Sequence, residues 1–498
     1  MRKLTALISV FVLILACCGT AYAENAAEAV SGDFVYFLKE DGSATISAYT
    51  GAESDLTIPS ELDGYPVTVI GEKAFKGNEN LVSVIVPEGV QVIEKLAFSE
   101  CGSLVSVSLP DGLLSIGDEA FMHSWNLSGL TIPETVTTLG LYVLYECDSV
   151  ASLRIPDSVI TCEGPPVFSM NGTTELIVSP DHPGLELIDG VLFDKVQKKL
   201  ISYRQADYES VSYSIPEGTE IIGQYAFDCS VLSQISIPGS MKVIEAYAFN
   251  SCRSVESFTL PEGLTVLGSK AFCNCDGMVS VNIPDSVTEI SNNVFGGCTA
   301  LSDLRISPDQ PVIMLVDGVM FSKDGRQLLW YPPTSAAASY TIPDGTEVIT
   351  ASVFSYAAFS SVVIPDSVVT IEDSAFNHCE QLKEITIPAS VTVIGKNVFS
   401  RCEQLERVSL PDRITSIENS TFNYCKALKD INIPESVTSI GKIAFRGCES
   451  LEALAIPAGV ESVGENAFSD CPALTLSIAP GSSVEQYCID NGINYTVR

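Results

Sequence analysis

A short repeat of constant length constrains this chain more than any other feature. It is clearest from Ile433 to Pro457, where I-P-E-S-V-T-S-I-G-K-I-A-F-R-G-C-E-S-L-E-A-L-A-I-P begins and ends on the same Ile-Pro pair. The interval from Pro434 to Pro457 also separates the members of three runs of prolines: Pro87, Pro110, Pro133 and Pro156; Pro238, Pro261 and Pro284; and Pro365, Pro388, Pro411, Pro434, Pro457 and Pro480. Leucine-rich repeats have periods of about 20–29 residues, and this interval lies within that range, so the sequence predicts a repeat protein.

Each repeat places apolar residues at fixed positions. Leu451, Leu454 and Ile456 precede the closing proline, and the alternation at the end of this pattern predicts a short strand with one buried face. Proline ends the strand because it has no N–H to donate. A second apolar pair follows the proline, as at Val437 and Ile440, and then come a turn and an Ala-Phe pair. A single repeat cannot bury these residues, so the repeats must stack on one another.

The consensus resembles a known family. I-P-x-x-V-T-x-I-G-x-x-A-F-x-x-C-x-x-L-x-x-I-x-I-P is similar to the bacterial leucine-rich repeat of BspA-like surface antigens, and it covers nearly all of the mature chain in about 15 units. The expected fold class is therefore an α/β repeat: a leucine-rich-repeat solenoid of mostly short β-strands and turns with little helix, closed by an N-terminal β-hairpin cap and a C-terminal helix-strand cap.

The N-terminal segment is expected to direct export. Residues 1–23 combine a basic start, a short apolar run and the cleavage motif Ala21-Tyr22-Ala23, which together predict a signal peptide. The alternative is a lipoprotein anchored through Cys17. No second apolar stretch has the length of a membrane span, so we expect a secreted, extracellular or cell-surface protein without a transmembrane segment.

The mature chain is expected to be a solenoid with a cap at each end. Residues 24–66 contain two alternating segments around the turn Asp41-Gly42, which predicts the N-terminal hairpin cap. The repeats are assigned to residues 67–480, and residues 481–498 are predicted to form the C-terminal cap. Caps of this kind shield the open ends of a stack.

Two segments interrupt the repeats, at about residues 181–214 and 309–341. They resemble each other: S-P-D-H-P with D-G-V-L-F-D-K in the first matches S-P-D-Q-P with D-G-V-M-F-S-K in the second, and all matching positions are separated by the same offset. Both are predicted to be hairpin inserts. The functional alternative is that Tyr203, Tyr208, Trp330 and Tyr331 form an exposed aromatic patch that binds a ligand.

Most cysteines share one position of the repeat. Eleven of the 16 lie nine residues before the closing proline or its equivalent: Cys101, Cys147, Cys229, Cys252, Cys275, Cys298, Cys379, Cys402, Cys425, Cys448 and Cys471. Asn78, Ser124 and Tyr356 occupy the same position elsewhere, so it favours a small group that bonds a turn. We predict buried, reduced thiols that pack as small hydrophobes. Disulfides between adjacent repeats are the alternative.

The sequence supplies little for catalysis, cofactors or nucleic acid. His123 and His378 share one repeat position about eleven repeats apart, which prevents them from meeting, and no catalytic, phosphate-binding or metal-binding motif is present. No catalytic residue, cofactor or metal ligand is therefore assigned, and an enzyme is not expected. The formal net charge of −35 argues against nucleic acid and anionic membranes, which favour clustered Lys and Arg.

The remaining candidate surface is the outward face of the strands before each proline. Its side chains are mostly Ser, Thr and Asn, which suit an exposed sheet, with Arg154 and Arg305 as two charged exceptions. The candidate partner-binding residues are therefore Arg154, Arg305, Trp330, Tyr331 and Tyr203. Solenoids offer such surfaces to protein partners.

The resemblance implies a bacterial surface or secreted protein. Its relatives are expected to act in adhesion to host matrix proteins, mucosal surfaces or other bacteria. We therefore expect a monomeric scaffold that binds protein or glycoprotein ligands. The alternative is a structural component of the cell envelope that associates with itself.

Overall fold

The computed structural model describes residues 28–168, 174–204 and 211–498 of the chain. These residues divide into two compact units, with the boundary between Leu187 and Ile188. The predicted signal peptide, Cys17 and Tyr208 lie outside the described residues. Each unit is a β-solenoid, and we call one turn of a solenoid a rung.

The first unit is built almost entirely from strands of two to six residues. They are β1 (Ala29–Ser31), β2 (Phe34–Leu38), β3 (Ala44–Tyr49), β4 (Asp55–Thr57), β5 (Glu61–Leu62), β6 (Tyr65–Ile70), β7 (Ser83–Ile85), β8 (Val92–Ile93), β9 (Ser106–Ser108), β10 (Ser115–Ile116), β11 (Thr138–Leu139), β12 (Leu144–Tyr145), β13 (Ser152–Arg154), β14 (Val167–Phe168) and β15 (Glu175–Ile177), and β16 (Leu185–Ile188) lies at the boundary.

The second unit adds longer hairpin strands and one helix. Its strands are β17 (Val191–Asp194), β18 (Lys199–Ser202), β19 (Ser212–Ser214), β20 (Ile221–Ile222), β21 (Gln234–Ser236), β22 (Val243–Ile244), β23 (Ser257–Thr259), β24 (Val266–Leu267), β25 (Ser280–Ile283), β26 (Glu289–Ile290), β27 (Asp303–Ile306), β28 (Ile313–Val316), β29 (Val319–Ser322), β30 (Gln327–Trp330), β31 (Ser339–Thr341), β32 (Val348–Ile349), β33 (Ser361–Val363), β34 (Thr370–Ile371), β35 (Glu384–Thr386), β36 (Val393–Ile394), β37 (Arg407–Ser409), β38 (Ser416–Ile417), β39 (Asp430–Ile431), β40 (Ser439–Ile440), β41 (Ala453–Ala455), β42 (Ser462–Val463), β43 (Thr475–Ile478) and β44 (Asn494–Val497). The helix is α1 (Ser483–Asn491).

A regular rung contains two strands, one on each side of the proline. The strand before the proline pairs in parallel with its counterpart in the next rung, as β35 pairs with β37 and β37 with β39. The two-residue strand after the proline forms a second parallel ladder, as in β32, β34 and β36. The solenoid with little helix is therefore confirmed, and the second residue of the apolar pair after the proline lies in a strand of its own, as Ile440 does in β40.

The turn that carries the phenylalanine forms a third ladder. The N–H groups of Ser374, Phe376 and His378 donate to carbonyl oxygens of the next rung at 2.8–3.0 Å. Ser374 and His378 have φ values of 59° and 57°, whereas Phe376 between them has negative φ. This alternation turns every second N–H toward the next rung, so the left-handed conformation is needed for bonding between rungs.

Phenylalanine rings stack through the core of each unit. Consecutive rings lie 4.8–5.7 Å apart, with planes inclined by at most 22°. Burial is complete for most of them; Phe399, for example, is 0% exposed. Ring stacking adds about 0.5–1.5 kcal/mol per pair to the hydrophobic contribution. The stack therefore adds to the attraction between successive rungs.

The two ends of the described chain carry different caps. At the N-terminal end, β2 pairs antiparallel with β1 and β3, and β3 joins β6 in parallel. At the C-terminal end, α1 ends at Gly492, whose φ of 66° closes the helix, and β44 pairs with β43. The predicted hairpin and helix-strand caps are confirmed as elements of the fold.

Both interruptions of the repeat contain antiparallel strands. In the first, β17 pairs with β18, and in the second, β28, β29 and β30 form a meander. The turn after β17 contains no typical hairpin sequence. Instead, the buried carboxylate of Asp194 accepts hydrogen bonds from the N–H groups of Val196 and Gln197 at 2.9 and 2.7 Å. This carboxylate replaces the Asp-Gly turn that serves the second interruption.

A buried polar side chain lies at the start of each interruption. His182 Nδ1 accepts hydrogen bonds from the N–H groups of Gly184 and Leu185, so Nε2 carries the proton and donates to the Pro156 carbonyl at 3.0 Å. At the matching position, the amide oxygen of Gln310 accepts from two backbone N–H groups and its amide nitrogen donates to a carbonyl at 2.6 Å. A neutral histidine and a glutamine thus satisfy the same three kinds of backbone contact.

We predict that His182→Gln leaves stability close to wild type, because Gln310 shows that glutamine can make these contacts. His182→Ala should lower the free energy of unfolding by about 1–3 kcal/mol, since buried backbone groups would lose their partner. Urea denaturation measures both. Gln310→Ala and Gln310→His provide the reciprocal pair, and equal destabilisation by Gln and Ala at position 182 would contradict the interpretation.

Candidate functional site

The outward face of the strands before the prolines is exposed, as expected. Arg154 and Arg305 are both exposed on this face, at the C-terminal part of β13 and in β27. Arg154 pairs with Glu134, and Arg305 pairs with Asp303 two residues away in the same strand. The Arg305 guanidinium holds the pKa of Asp303 below its usual value through a hydrogen bond. Each arginine therefore has its charge offset by a neighbouring carboxylate.

The prediction of an exposed aromatic patch at the second interruption is wrong. Trp330 and Tyr331 are each only 5% exposed, so neither can grip a ligand at the surface. Tyr331 packs against Phe354 with a centroid distance of 5.1 Å and donates its hydroxyl to Ser335 at 3.1 Å. Tyr331 heads the phenylalanine stack that continues through Phe354 and Phe376. It is a core residue with a satisfied hydroxyl.

Tyr203 has the same structural role in the first interruption. It is half-buried, and its ring stacks on Phe227 at 5.1 Å with an interplanar angle of 20°. Its N–H donates to the Ala226 carbonyl, as the N–H of a stacked phenylalanine does to the alanine of the next rung. Tyr203 is therefore a member of the stack, and the first interruption provides no described aromatic patch.

We predict that Tyr331→Ala lowers the free energy of unfolding by about 3–5 kcal/mol, as expected for removal of a buried ring. Tyr331→Phe should cost only about 1 kcal/mol, because it keeps the ring and loses the hydroxyl contact to Ser335. Thermal unfolding followed by circular dichroism distinguishes the two. A fully stable Tyr331→Ala variant would contradict the buried position.

A different group of aromatic and cationic side chains lies together on the turn face of the second unit. Tyr356 and His378 stack with ring centroids 4.6 Å apart and planes inclined by 19°. The guanidinium carbons of Arg401 and Arg446 lie 5.2 and 5.6 Å from the ring centroid of Tyr424. We call these five residues the aromatic–cation stack. Contacts between a guanidinium and an aromatic face contribute about 0.5–1 kcal/mol at exposed sites.

Four of these residues occupy a backbone position that disfavours them. Tyr356, His378, Arg401 and Tyr424 have φ values of 57–65°. They lie two residues after the phenylalanine of their rungs, a position that His123 also occupies. Small or acidic residues are common there in other rungs: Gly77, Glu100, Glu146, Cys229, Ser251, Asn274, Gly297, Gly447 and Asp470. A bulky residue in the left-handed region costs about 1–2 kcal/mol. The four residues lie in successive rungs, so their side chains form one column at the surface.

Arg401 differs in its charge pairing both from Arg446 of the same stack and from the arginines of the strand face. Arg407 and Arg446 pair with Asp430 and Asp470, but none of the described carboxylates forms an ion pair with Arg401. Burial and then the charge of Arg401 lower the pKa of His378 below its ordinary value, which favours the neutral imidazole at neutral pH. Arg401 thus presents an exposed guanidinium in a chain whose net charge is −35.

Aligning the repeats on their prolines does not bring the residues of this stack into one repeat position. The interval placed Cys229 and Tyr356 in the cysteine position, but the structure places Ser230 and Ala357 there. Their repeats are one residue shorter after the phenylalanine, so Cys229 and Tyr356 take the left-handed position instead. Counting forward from each phenylalanine would have aligned Tyr356 with His378, Arg401 and Tyr424.

The cysteine position is a ladder of buried thiols that bond the backbone. Each Sγ donates to the carbonyl of the phenylalanine in the preceding rung at 2.9–3.3 Å, and Ser124 Oγ does the same at 3.0 Å. The thiols concerned are Cys101, Cys147, Cys252, Cys275, Cys298, Cys379, Cys402, Cys425, Cys448 and Cys471. The cysteines of the described residues are free, and burial raises the pKa of Cys101 to about 12.

Among residues 28–168, 174–204 and 211–498, no group of three His, Cys, Asp or Glu side chains is placed to hold a metal ion. None of the helices in these ranges is long and apolar enough to cross a membrane.

Comparisons with known proteins identify the repeat. The family described as BspA type Leucine rich repeat region matches in six copies, over residues 54–179, 206–313 and 347–475. A search of curated proteins found no match.

Similar solved structures come from several bacteria. A leucine rich cell surface protein from Faecalibacterium prausnitzii A2-165 is 25% identical over 94% of this chain and 98% of its own, with a TM-score of 0.36. A leucine-rich repeat protein from Bacteroides ovatus ATCC 8483 is 19% identical over 94% and 99%, with a TM-score of 0.32. The pneumococcal vaccine antigen PcpA is 17% identical over 95% and 99%, with a TM-score of 0.36.

Proposed function

Because this chain belongs to the BspA-type leucine-rich-repeat family, we propose that it is an exported bacterial scaffold that binds protein or glycoprotein partners. The partners would be host matrix proteins, mucosal glycoproteins or the surfaces of other bacteria, so that binding results in adhesion. The family consists of bacterial surface proteins of a scaffold type, which supports the general class. The surface that binds the partner is set by the side chains of this chain itself.

The aromatic–cation stack is the observation that carries the proposal. Tyrosine and arginine are enriched among the residues that dominate binding energy at protein interfaces. Tyr356 is 55% exposed and Arg401 is exposed without an ion pair, so both can gain contacts when a partner docks. The stacking also fixes the rings before binding, which reduces the entropy lost on association.

The partner should present a hydrogen-bond acceptor to Arg401 and an apolar group to Tyr356. A guanidinium forms its strongest contacts with a carboxylate, to which it can donate two parallel hydrogen bonds. The surrounding negative charge of the chain disfavours strongly acidic proteins as a whole. We therefore expect a partner with an isolated acidic side chain or main-chain carbonyl beside an apolar or aromatic side chain.

The strand face is a secondary contact in this proposal. Arg154 and Arg305 would have to exchange an existing carboxylate partner for a new one. Exposed ion pairs contribute about 0–1 kcal/mol, so such an exchange gains little energy. The hydroxyl-bearing side chains around them can still hydrogen-bond an extended segment of the partner.

We predict that Tyr356→Ala/Arg401→Ala weakens partner binding by about 2 kcal/mol or more, which corresponds to roughly thirtyfold in Kd. Labelled residues 24–498 would be applied to an array of matrix proteins, mucins and bacterial cells, and Kd would be measured for each positive ligand. Both side chains are exposed, so the variant should fold. Circular dichroism verifies this.

Arg154→Ala/Arg305→Ala is the matched control, because it removes two exposed surface side chains of the strand face. It should change Kd by less than about threefold. Equal losses in the two variants would contradict the assignment of the stack as the main contact. Absence of binding across the array, together with concentration-dependent assembly in sedimentation, would favour the self-associating envelope component instead.

A further inference from the structure

The ladder of buried thiols ends at the surface in the last rung. Cys448 is 0% exposed, whereas Cys471, the next member of the ladder, is half-buried. Cys471 lines a groove of about 440 Å³ between this rung and the C-terminal cap. The residues that line the groove include Phe468, Tyr487, Asn466, Asn491 and Asn494.

The two thiols are in register on adjacent rungs. The N–H of Gly447, which precedes Cys448, donates to the Ser469 carbonyl at 2.9 Å and fixes the alignment of the two turns. Neighbouring strands of a parallel ladder lie about 4.8 Å apart, within the Cα separation of about 4.4–6.8 Å that a disulfide requires. Cys448 and Cys471 can therefore be joined with little movement of the backbone.

Cys448 has the weakest backbone contact of the ladder. Its Sγ lies 3.3 Å from the Phe422 carbonyl, against 2.9–3.2 Å for the other thiols. It is also within hydrogen-bonding reach of the Cys471 sulfur. Cys471 donates its own S–H to the Phe445 carbonyl at 3.0 Å, so the two thiols lie side by side, each bonded to a backbone carbonyl.

Among the described residues, only one half-buried thiol has its pKa lowered by a neighbouring thiol. The hydrogen bond from Cys448 lowers the pKa of Cys471, whereas burial raises the pKa of Cys229 and of Cys273 to about 11. Hydrogen bonds from its neighbours also lower the pKa of Cys275, but this side chain is completely buried. Within the part of the chain that the structure describes, Cys471 alone combines access to solvent, a lowered pKa and a neighbouring ladder thiol in register, and the thiolate is the reactive form.

We infer that Cys471 is a modification site that captures a low-molecular-weight disulfide from the groove, and that Cys448 then displaces the captured group. In the first step the Cys471 thiolate attacks one sulfur of RS–SR, forms a mixed disulfide and releases RS⁻, which takes up a proton. In the second step Cys448 gives up its proton and attacks the Cys471 sulfur, which releases the second RSH. The protein loses two electrons and two protons, and one RS–SR becomes two RSH.

The groove favours an uncharged reagent with a polar end. Tyr487 can pack against the carbon chain of a small disulfide, and the side-chain amide of Asn494 can bond a hydroxyl or amide group. The amide nitrogens of Asn466 and Asn491 already donate to Glu465 and to the Tyr487 carbonyl. Asp470 also lines the groove, but its carboxylate pairs with Arg446 at 3.0 Å. A small neutral disulfide therefore meets no unpaired charge from Asp470.

The experiment adds hydroxyethyl disulfide to the folded chain at pH 8 and follows thiol release and protein mass. Wild type should release two equivalents of thiol in a fast phase and end with a Cys448–Cys471 disulfide located by peptide mapping. Cys448→Ser should stop at the mixed disulfide after one equivalent. Cys471→Ser should lose the fast phase, at least about tenfold in initial rate.

Cys273→Ser is the matched control, since it removes a half-buried thiol with a raised pKa and should keep the fast phase. Serine occupies the ladder position at Ser124, so the two ladder variants are expected to fold, and circular dichroism would verify it. A fast phase that survives Cys471→Ser, or that disappears in Cys273→Ser, would overturn the inference. Wild-type thiols that react only after denaturant is added would also overturn it.

Discussion

The bonding of each rung to the next is the constraint on which the rest of this structure depends. A rung has two short strands and a turn, and none of these can satisfy its backbone groups or bury its apolar side chains alone. Three ladders of hydrogen bonds therefore run from rung to rung. The left-handed residues follow from this requirement, because they direct the turn N–H groups along the ladder. The spacing of the phenylalanine rings follows from it too, since the rings are held at the interval set by the backbone.

This constraint also determines where the chain can vary. Inward positions accept only residues that stack or that bond the backbone, as shown by cysteine and serine at one position and by His182 and Gln310 at another. Outward positions do not have to stack in the core or bond the backbone. The aromatic–cation stack is informative because it lies at an outward position where the backbone itself favours glycine or asparagine. Four of its side chains are held in that conformation, and the binding role proposed for them does not depend on the packing of the core.

The sequence predicted those parts of the fold that repeat over several residues. The strand before the proline alternates, and the phenylalanine recurs at a constant interval, so both were recognised. The strand after the proline has two residues, as in Ser439–Ile440, which is too short for alternation to be visible. Tyr331 looked like a surface residue because an aromatic at the end of a hairpin strand has no period of its own. The available signal was its position one full repeat before Phe354.

The candidate site was harder to predict because side chains of one column are distant in the sequence and depend on register. A single deleted residue before Pro365 moved Tyr356 out of its column when positions were counted from the proline. The ion pairs of Arg154 and Arg305 were equally hidden, since one carboxylate lies in a preceding repeat and the other at i−2. Charge and exposure at one position are set by neighbours that the repeat pattern does not specify.

The two interruptions have a consequence for how such a gene can change. They match at one constant offset, which also separates Tyr203 from Tyr331, and each of these tyrosines takes the phenylalanine position of the stack. Unequal recombination between the two coding segments would therefore insert or delete a block of that length while every ladder stays in register. Lengthening the protein would need no compensating mutation in the core. This architecture therefore permits the number of such blocks to vary among strains.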